Sequence, residues 1–413
     1  MAMVSTDFMT GTGVSNIRTV TSRMDKIDIS SVLNALLIKD TTVLGMIGMK
    51  GVAKNTEHRW LEDDLNSTVF YGSTSGAAGA TFTLKITSPS TTAALLKIAR
   101  NDTIFTPENG EWYGKFSAAP TATSQTVGRY GALSTVFATT FATAAAGTKF
   151  YVVGMPKKDI DTASTDISKT RTTRRNFTQI FERGIQIAET REHIDLYAVG
   201  SELELQTKYR TLEMKRELGI AVINSVAYWD ESNYTDNVED RTMCGMIQLI
   251  RDPDLDGTPE DTTVTNAGGV DLTADLMNGV CKKMYDLGGL GSDSNVVVCV
   301  SPVQAQKFSN IATNNLRSTS VQSKYRGFFA DRFVSDFGGI EFKVVMDRWI
   351  PDDKIIFLDL NRVSCMPLQG DTWALKEMAQ TGRSRNFQTS GQYTIQMENA
   401  GECHGLLFNL KTT

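Results

Sequence analysis

The chain has 413 residues, of which 41% are hydrophobic and 22% charged, and its formal net charge is −5. This length exceeds what one hydrophobic core usually organises, so two or more domains are expected. The negative charge argues against a nucleic-acid-binding protein with a strong basic field, although weak or local contact stays open. The five cysteines are scattered without a C-x-x-C pair, which argues against a disulfide framework or a zinc site. Residues 1–16 lack the features of a signal peptide, and no stretch approaches the ~20 apolar residues that span a bilayer, so a soluble protein made inside a cell is predicted.

The N-terminal segment, residues 1 to about 52, begins polar and then becomes apolar. Ser31 is a suitable N-cap for an apolar run over residues 32–38, and a second apolar piece covers residues 43–49. The leucines of the first run are Leu33, Leu36 and Leu37. The segment is too thin to form its own core. It is either a helix packed on its own domain or an arm that lies on a neighbouring molecule, and the pattern leaves both readings open.

Residues 66–172 differ in composition, because Thr, Ser, Ala and Gly dominate and charges are sparse. Short apolar runs separated by turn residues predict β-strands there. These runs are Phe82–Ile86, Leu95–Ile98, Thr103–Phe105 and Phe150–Val153. A small β-subdomain within an insertion is therefore predicted, and the alternative is a mobile low-complexity loop.

The stretch from Arg174 to Ala227 starts with an extended segment and continues, from about Ser201, as one long charged helix. Apolar residues at steps of three, four or eight line one side of this predicted helix. They are Leu205, Tyr209, Leu212, Ile220, Ile223 and Val226. At ~1.5 Å per residue the helix would be roughly 35–40 Å long, which is longer than most helices in globular domains. Nothing in it resembles a reaction centre.

From about residue 233 the chain alternates between helix and strand patterns, which suggests a layered domain with a central sheet. Asp271 or Thr273 is predicted to cap a helix with an apolar stripe. That stripe comprises Leu276, Val280, Met284 and Leu287, and Gly288 closes it. The apolar run at residues 295–300 predicts a buried strand, and Ser301 with Pro302 predicts the start of the next helix. Further strands are predicted at Ile340–Val345, at Ile355–Leu358 and within Arg383–Leu410.

The sequence offers only weak candidates for a catalytic or metal-binding site. The three histidines share no metal-ligand spacing, and Cys403 and His404 would point to opposite faces if they lie in a strand. Asp252, Asp254, Asp256 and Gly257 copy the first half of a calcium-binding loop. Thr263 stands where the loop needs a bidentate glutamate, so an exposed acidic turn is the stronger interpretation and cation binding the alternative.

A small basic cluster precedes the long helix. It consists of Lys169, Arg171, Arg174 and Arg175. Such a cluster is usually a solvated face or a set of salt-bridge partners. Contact with nucleic acid or with an acidic neighbouring molecule is the alternative.

The phrase from Asn176 to Phe181, N-F-T-Q-I-F, resembles the start of the spine region in major capsid proteins of tailed bacteriophages with the Hong Kong 97-type fold. The resemblance continues in order along the chain. It covers Asn55–Leu65, Val127–Gly131, Met243–Met246, Asp336–Gly339, Asp347–Pro351, Phe357–Asp359 and Tyr393–Phe408. It departs from the commoner family pattern at Met243-Cys244, where a small residue usually precedes the glycine.

The resemblance implies an α+β capsid fold with five parts. These are an N-terminal arm (1–55), an extended loop with an inserted β-subdomain (56–175), a peripheral domain with the spine helix (176–232), an α/β axial domain (233–361) and return strands of the peripheral domain (362–413). Leu33, Leu36 and Leu37 in the arm, with Arg171, Arg174 and Arg175, are the candidates for contacts between subunits. No cofactor and no catalytic residue are implied.

The resemblance implies a major capsid protein, made in the host bacterial cytoplasm and located in the virion. Its copies would form pentamers and hexamers of an icosahedral shell that encloses double-stranded DNA without sequence specificity. Portal, scaffold and decoration proteins are possible partners, and no membrane is involved. The alternatives are a subunit of an encapsulin-like protein compartment and, from a different class, a calcium-dependent surface protein.

Overall fold

The structure is a computed structural model. It describes residues 42–412 except 64, 76–80, 90–91, 109–111, 117, 122–123, 133–143, 157–167, 169–170, 193–200, 228–240, 292–293, 316–331, 335–340 and 381. The chain divides into two compact units. The larger unit contains residues 1–58 and 175–413, and the smaller one contains residues 59–174.

The elements of the first half of the chain are α1 (Thr42–Ile47), β1 (Glu57–Glu62), β2 (Val69–Ser75), β3 (Thr81–Ser88), α2 (Thr92–Ile98), β4 (Ile104–Pro107), β5 (Trp112–Lys115), β6 (Ser124–Ala132), β7 (Thr148–Gly154), β8 (Thr172–Phe177), β9 (Gln179–Ala188) and α3 (Glu189–Glu192). Those of the second half are α4 (Glu202–Asn224), α5 (Met246–Arg251), β10 (Val264–Asn266), α6 (Ala274–Asp286), β11 (Val296–Val300), α7 (Pro302–Asn315), β12 (Arg332–Val334), β13 (Glu341–Met346), β14 (Ile355–Asp359), β15 (Val363–Pro367), β16 (Ala374–Met378), β17 (Ser384–Met397), α8 (Ala400–Cys403) and β18 (Gly405–Phe408).

A six-stranded mixed sheet forms one layer of the larger unit, in the order β10-β18-β14-β11-β13-β12. Its central strands β11 and β14 are buried along their whole length, as their unbroken apolar runs predict. Helix α6 packs on this sheet through Met277, Val280 and Met284. The predicted cap at Thr273 is confirmed, because its side chain accepts a hydrogen bond from the backbone N–H of Leu276. Leu287 is 46% exposed, so its predicted place in the buried stripe is wrong.

The second sheet of the larger unit is built around the 14-residue strand β17. Strands β15 and β16 pair with it, and β9 pairs with its residues 384–393. Alternate side chains of β9, namely Phe181, Ile185 and Ile187, are buried. The sheet therefore buries one face of β9, in accordance with the period of two expected for a half-exposed strand.

The long helix α4 packs against β9 and β17. Its start is confirmed: Ser201 caps it by accepting a hydrogen bond from the Glu204 N–H. The predicted apolar side is not the main side that packs in the core. The side chains that enter the core are Met214, Leu218, Val222 and Ile223, and only the last belongs to the predicted stripe. Val226 lies beyond the helix and is 65% exposed. The apolar stripe and the core contacts differ because both sides of this charged helix carry apolar residues.

The last strand, β18, lies between β10 and β14 in the six-stranded sheet. Strands β15 and β17, which come before it, belong to the sheet built around β17. Residues 362–413, expected as one set of peripheral return strands, are thus shared between the two sheets. The boundaries of the capsid domains stay predictions.

The N-terminal part of the described chain is fixed to the larger unit. Val43 and Ile47 of α1 are fully buried in its main core. The following residues run beside β15, where Lys50 N donates to Cys365 O at 3.1 Å and Ala53 N donates to Pro367 O at 2.9 Å. Of the two readings of the N-terminal segment, the structure shows a helix packed on its own domain for residues 42–47.

The smaller unit contains a closed barrel with the strand order β2-β3-β6-β5-β4-β7. Six aromatic side chains fill its core. They are Phe70, Phe82, Phe105, Trp112, Phe116 and Phe150. Three of the four predicted strands are confirmed within β3, β4 and β7. The predicted strand at Leu95–Ile98 is wrong, because Thr92–Ile98 forms helix α2. Its Ala, Leu and Lys residues favour a helix, and a short apolar run cannot distinguish the two states by periodicity.

Candidate functional site

The nucleophilic and metal-binding side chains are dispersed. All five cysteines are free and buried. Burial raises the pKa of the Cys299 and Cys365 thiols to about 12 and raises that of Cys244 further. These thiols are therefore protonated at neutral pH and are poor nucleophiles. Within the described ranges, no group of three His, Cys, Asp or Glu side chains has a geometry that could hold a metal ion.

Each described histidine has a structural contact. His58 Nε2 lies 2.9 Å from Gln396 Oε1. His404 is fully buried, and its Nδ1 accepts a hydrogen bond from the Asp359 N–H at 3.2 Å. Cys403 and His404 stand at the end of helix α8 and not in a strand, so that expectation is corrected. His193 lies outside the described residues.

In the acidic turn that begins at Asp252, the Asp252 carboxylate accepts hydrogen bonds from backbone N–H groups of the same turn. Asp252 Oδ1 accepts from the Asp256 N–H at 3.3 Å, and its Oδ2 accepts from the Gly257 N–H at 3.0 Å. Asp256 in turn accepts from the Thr258 N–H at 2.7 Å. The bond from Thr258 to Asp256 is typical of an Asx turn, which needs no cation. Cation binding by Asp252, Asp254 and Asp256 stays a prediction.

The three arginines around the start of β8 form ion pairs with carboxylates on or next to β1. Arg171 pairs with Asp63 at 3.3 Å, Arg174 with Glu62 at 3.1 Å, and Arg175 with Glu57 at 3.8 Å. The Arg174 and Glu62 side chains are only 12% and 8% exposed. Arg174 is thus held within its own chain, whereas Arg171 keeps 68% exposure. The sequence pattern did not show which carboxylates are the partners, because they lie more than 100 residues away.

The N-F-T-Q phrase, residues 176–179, joins distant parts of the larger unit. Asn176 is fully buried, and its Nδ2 donates to Cys244 O at 3.1 Å and to Ile395 O at 2.8 Å. Its Oδ1 accepts from the Cys244 and Phe177 N–H groups, both at 2.8 Å. This one amide therefore links the end of β8, strand β17 and the segment that leads into α5. Sequence reasoning identified the phrase by family resemblance and missed this role.

The same phrase holds residues 241–245 in place. Arg241 Nε donates to Thr178 O at 3.0 Å, and Met243 N donates to Gln179 Oε1 at 3.3 Å. At Gly245 an added Cβ would lie 2.7 Å from the Ser225 backbone nitrogen, so only glycine fits against the end of α4. Cys244, where the sequence departs from the commoner family pattern, is fully buried.

The start of the described chain is held by a buried carboxylate. Asp347 Oδ2 accepts from the Val43 N–H at 2.9 Å, and its Oδ1 accepts from the Trp349 N–H at 2.9 Å. A carboxylate beside the first turn of a helix also interacts favourably with the helix dipole. The arm candidates Leu33, Leu36 and Leu37 precede this point and lie outside the described residues.

The fold and these contacts can be compared with known proteins. The sequence model of the SU10 major capsid protein family matches residues 8–411. The chain belongs to the SU10 major capsid protein family. It is thus a major capsid protein of a tailed phage. No curated protein sequence matches it.

Solved capsid structures are similar to this capsid protein in fold. The capsid of a native GTA particle is 11% identical with a TM-score of 0.50, and the match covers 95% of this chain and 97% of that chain. The capsid of cyanophage A-1(L) is 10% identical with a TM-score of 0.48, over 95% and 99% of the two chains. The SrpI encapsulin of Synechococcus elongatus PCC 7942 is 11% identical with a TM-score of 0.40, over 59% and 77%. The expected α+β fold of Hong Kong 97-type capsid proteins is confirmed. No helix in the described part of the capsid protein is both long and apolar enough to span a membrane.

Proposed function

We propose that this capsid protein assembles with copies of itself, as pentamers and hexamers, into a closed icosahedral shell around double-stranded DNA. The family match over residues 8–411 carries the proposal. The protein has a structural role that depends on the contacts between its copies, without enzymatic activity and without a cofactor. It is made in the host bacterial cytoplasm and ends in the virion, where portal, scaffold and decoration proteins are further partners.

The physical basis is multivalency. Each subunit of a closed shell contacts several others, so every additional contact forms at a high effective concentration and modest pairwise affinities suffice. In a closed symmetric shell, the contact surface of each subunit is covered by a neighbouring subunit, so no contact surface stays exposed. A net charge of −5 suits a wall that encloses DNA without binding it tightly.

The division of the chain supports an extended-loop role for the smaller unit. Residues 59–174 correspond closely to the loop expected at 56–175 and have a separate aromatic core. The residues that form this core all lie between Phe70 and Val152, within the smaller unit. We infer that the barrel serves contacts between subunits and contributes little to folding of the larger unit.

Deleting the barrel should therefore abolish shell closure and leave a folded, soluble subunit. The variant replaces residues 66–170 by a flexible linker of about six residues, which keeps β1, β8 and their ion pairs. Negative-stain microscopy would compare its particles with those of the full chain. Circular dichroism and urea unfolding would serve as the folding control.

Normal particles from a folded deletion variant would contradict the role of the loop. Particles of the full chain that contain protein cargo and no nucleic acid would instead indicate an encapsulin-like compartment.

A further inference from the structure

Strand β9 forms an open edge of the sheet built around β17. It pairs with β17 on one side, and in the described part of the chain no strand pairs with its other side. Glu189 N donates to Arg383 O at 3.2 Å, in register with the ladder between β9 and β17. Hydrogen-bonded residue pairs alternate along an antiparallel ladder. The odd-numbered residues of β9 therefore bond to β17, and the even-numbered residues direct their N–H and C=O groups outward.

The outward backbone groups of this edge have no strand to bind. They include those of Ile180, Glu182, Gly184 and Gln186, and among the described residues no group accepts a hydrogen bond from these four N–H groups. All four residues are exposed. Just before β9, by contrast, the N–H of Thr178 donates to Thr56 O at 2.8 Å. The open part of the edge thus begins with β9 itself.

Two grooves follow this edge between β9 and α4. Their volumes are about 520 and about 400 Å³, and together they are lined by every residue from Gln179 to Ala188. Because both even-numbered and odd-numbered residues line the grooves, the backbone of the strand is accessible. An extended segment can add to such an edge as a further strand, through main-chain hydrogen bonds.

Strand β9 lacks the features that protect exposed edges in soluble proteins. Protected edges are short, or they carry proline, lysine or a β-bulge. Strand β9 has ten residues, none of which is proline or lysine. Its pairing with β17 runs from Gln179 to Ala188 without a shift in register. An edge of this kind is a template for pairing with another chain.

The glycine in the middle of β9 is a second observation that indicates a partner. A Cβ added at Gly184 would meet no atom of its own chain within 4 Å, so the fold of the chain does not require glycine there. Glycine weakens the interior of a strand, and it often marks a place where another backbone approaches closely.

The charges beside the edge favour a polypeptide partner. The lining of the two grooves contains three glutamates and three arginines, namely Glu182, Glu202, Glu217, Arg183, Arg191 and Arg210. A nucleic acid binds to an excess of positive charge, which this balanced lining lacks. A second copy of the same edge is equally balanced and is the polypeptide that a capsid subunit meets most often. This choice of partner rests on the proposed function.

One register suits two copies of β9. In an antiparallel pair about a two-fold axis, the longest overlap is obtained with the axis at Arg183 or at Gly184. The first choice places Arg183 opposite its own copy, and like charges directly opposite each other destabilise a sheet. With the axis at Gly184, Ile180 lies opposite Ala188 and Glu182 lies opposite Gln186 of the second copy. No two like charges then face each other.

We propose that two copies of the capsid protein pair through β9, antiparallel and about a two-fold axis at Gly184. The outward N–H and C=O groups of each β9 bond to those of the other, so the two sheets built around β17 continue into each other. This contact joins two neighbouring subunits of the shell.

The test is a disulfide between two full-length chains. All five native cysteines are buried, so mild oxidation acts selectively on engineered ones. In Gly184→Cys the two cysteines face each other with Cα atoms about 5.5 Å apart, which suits a disulfide. The matched control is Ile180→Cys, which is exposed on the same strand but lies roughly 27 Å from its own copy. We expect Gly184→Cys to give at least about tenfold more disulfide between chains, because its effective concentration is higher.

Two further changes test the register. The double variant Ile180→Cys/Ala188→Cys should restore the disulfide between chains, since these two positions face each other. Adding Gln186→Glu to Gly184→Cys should lower the disulfide yield several-fold, because the new carboxylate faces Glu182, whereas adding Gln186→Arg should not lower it.

Disulfides would be counted in every species that the chain forms, from free subunits to particles. Equal yields from Gly184→Cys and Ile180→Cys, or no disulfide between chains in folded Gly184→Cys protein, would overturn the pairing. A lack of particles would instead count against the proposed function, so the two failures are distinguishable.

Discussion

Replacing Asn176 with alanine is expected to lower the free energy of unfolding of the larger unit by at least about 4 kcal/mol. The fully buried amide of Asn176 makes four hydrogen bonds, to the N–H and C=O groups of Cys244, to Ile395 O and to Phe177 N. The substitution removes all four of these hydrogen bonds, and each buried group that is left unpaired costs roughly 1–3 kcal/mol. Such a loss is comparable to the whole stability of many domains.

Urea unfolding of unassembled subunits would measure this loss. The matched control is Asn224→Ala, because Asn224 is half-buried and its amide makes one recorded hydrogen bond, to Trp349 O. Its cost should be about 1 kcal/mol. If Asn176→Ala cost no more than Asn224→Ala, the bridging role of Asn176 would be refuted.

Acidification is expected to destabilise the subunit through His404. Burial is the largest cause and lowers the pKa of His404 to about 3; the Glu398 backbone opposes this shift in part, and the Arg362 guanidinium adds a smaller effect in the same direction as burial. The unfolded chain takes up a proton below about pH 6.5, while the folded chain does not until about pH 3. Stability is therefore lost progressively as the pH falls from 6.5 towards 3. At pH 4.5 the loss from this group amounts to roughly 3 kcal/mol, since each pH unit below 6.5 is worth about 1.4 kcal/mol.

The variant His404→Asn isolates this effect. Its Oδ1 can still accept the hydrogen bond from the Asp359 N–H, but it carries no group that protonates in this range. Between pH 7 and pH 4.5, we expect its free energy of unfolding to decrease by roughly 3 kcal/mol less than that of the wild type. The control Leu407→Ala removes a buried side chain from the adjacent strand without removing the histidine, so it should keep the wild-type pH dependence. Equal pH dependence in His404→Asn and the wild type would show that His404 does not contribute.

Local signals in the sequence sufficed for several elements. Ser201, Thr273 and Ser301 stand directly before the helices α4, α6 and α7, and such caps act on backbone groups within one turn. The buried strands β11 and β14 follow from unbroken apolar runs. Each of these features depends on neighbours in the sequence, which is why a single sequence reveals it.

Features that depend on distant residues were missed. The core side of α4 differs from the apolar stripe seen in the sequence because both sides of the helix carry apolar residues, and the contacts with β9 and β17 determine which side is buried. The role of Asn176 depends on Cys244 and Ile395, which lie 68 and 219 residues away. The carboxylate partners of Arg171, Arg174 and Arg175 are equally distant in sequence. No local pattern contains such information, since folding alone brings these groups together.

The most direct test of self-assembly is the size of the full-length chain when it is produced alone in a bacterium. Sedimentation velocity, combined with negative-stain microscopy, would measure it over a range of protein concentrations. We expect closed particles of uniform diameter that contain many copies of the 45.4 kDa chain. A species that stays a 45.4 kDa monomer at every concentration would contradict the account of this protein as a capsid subunit that acts by assembling with its own copies.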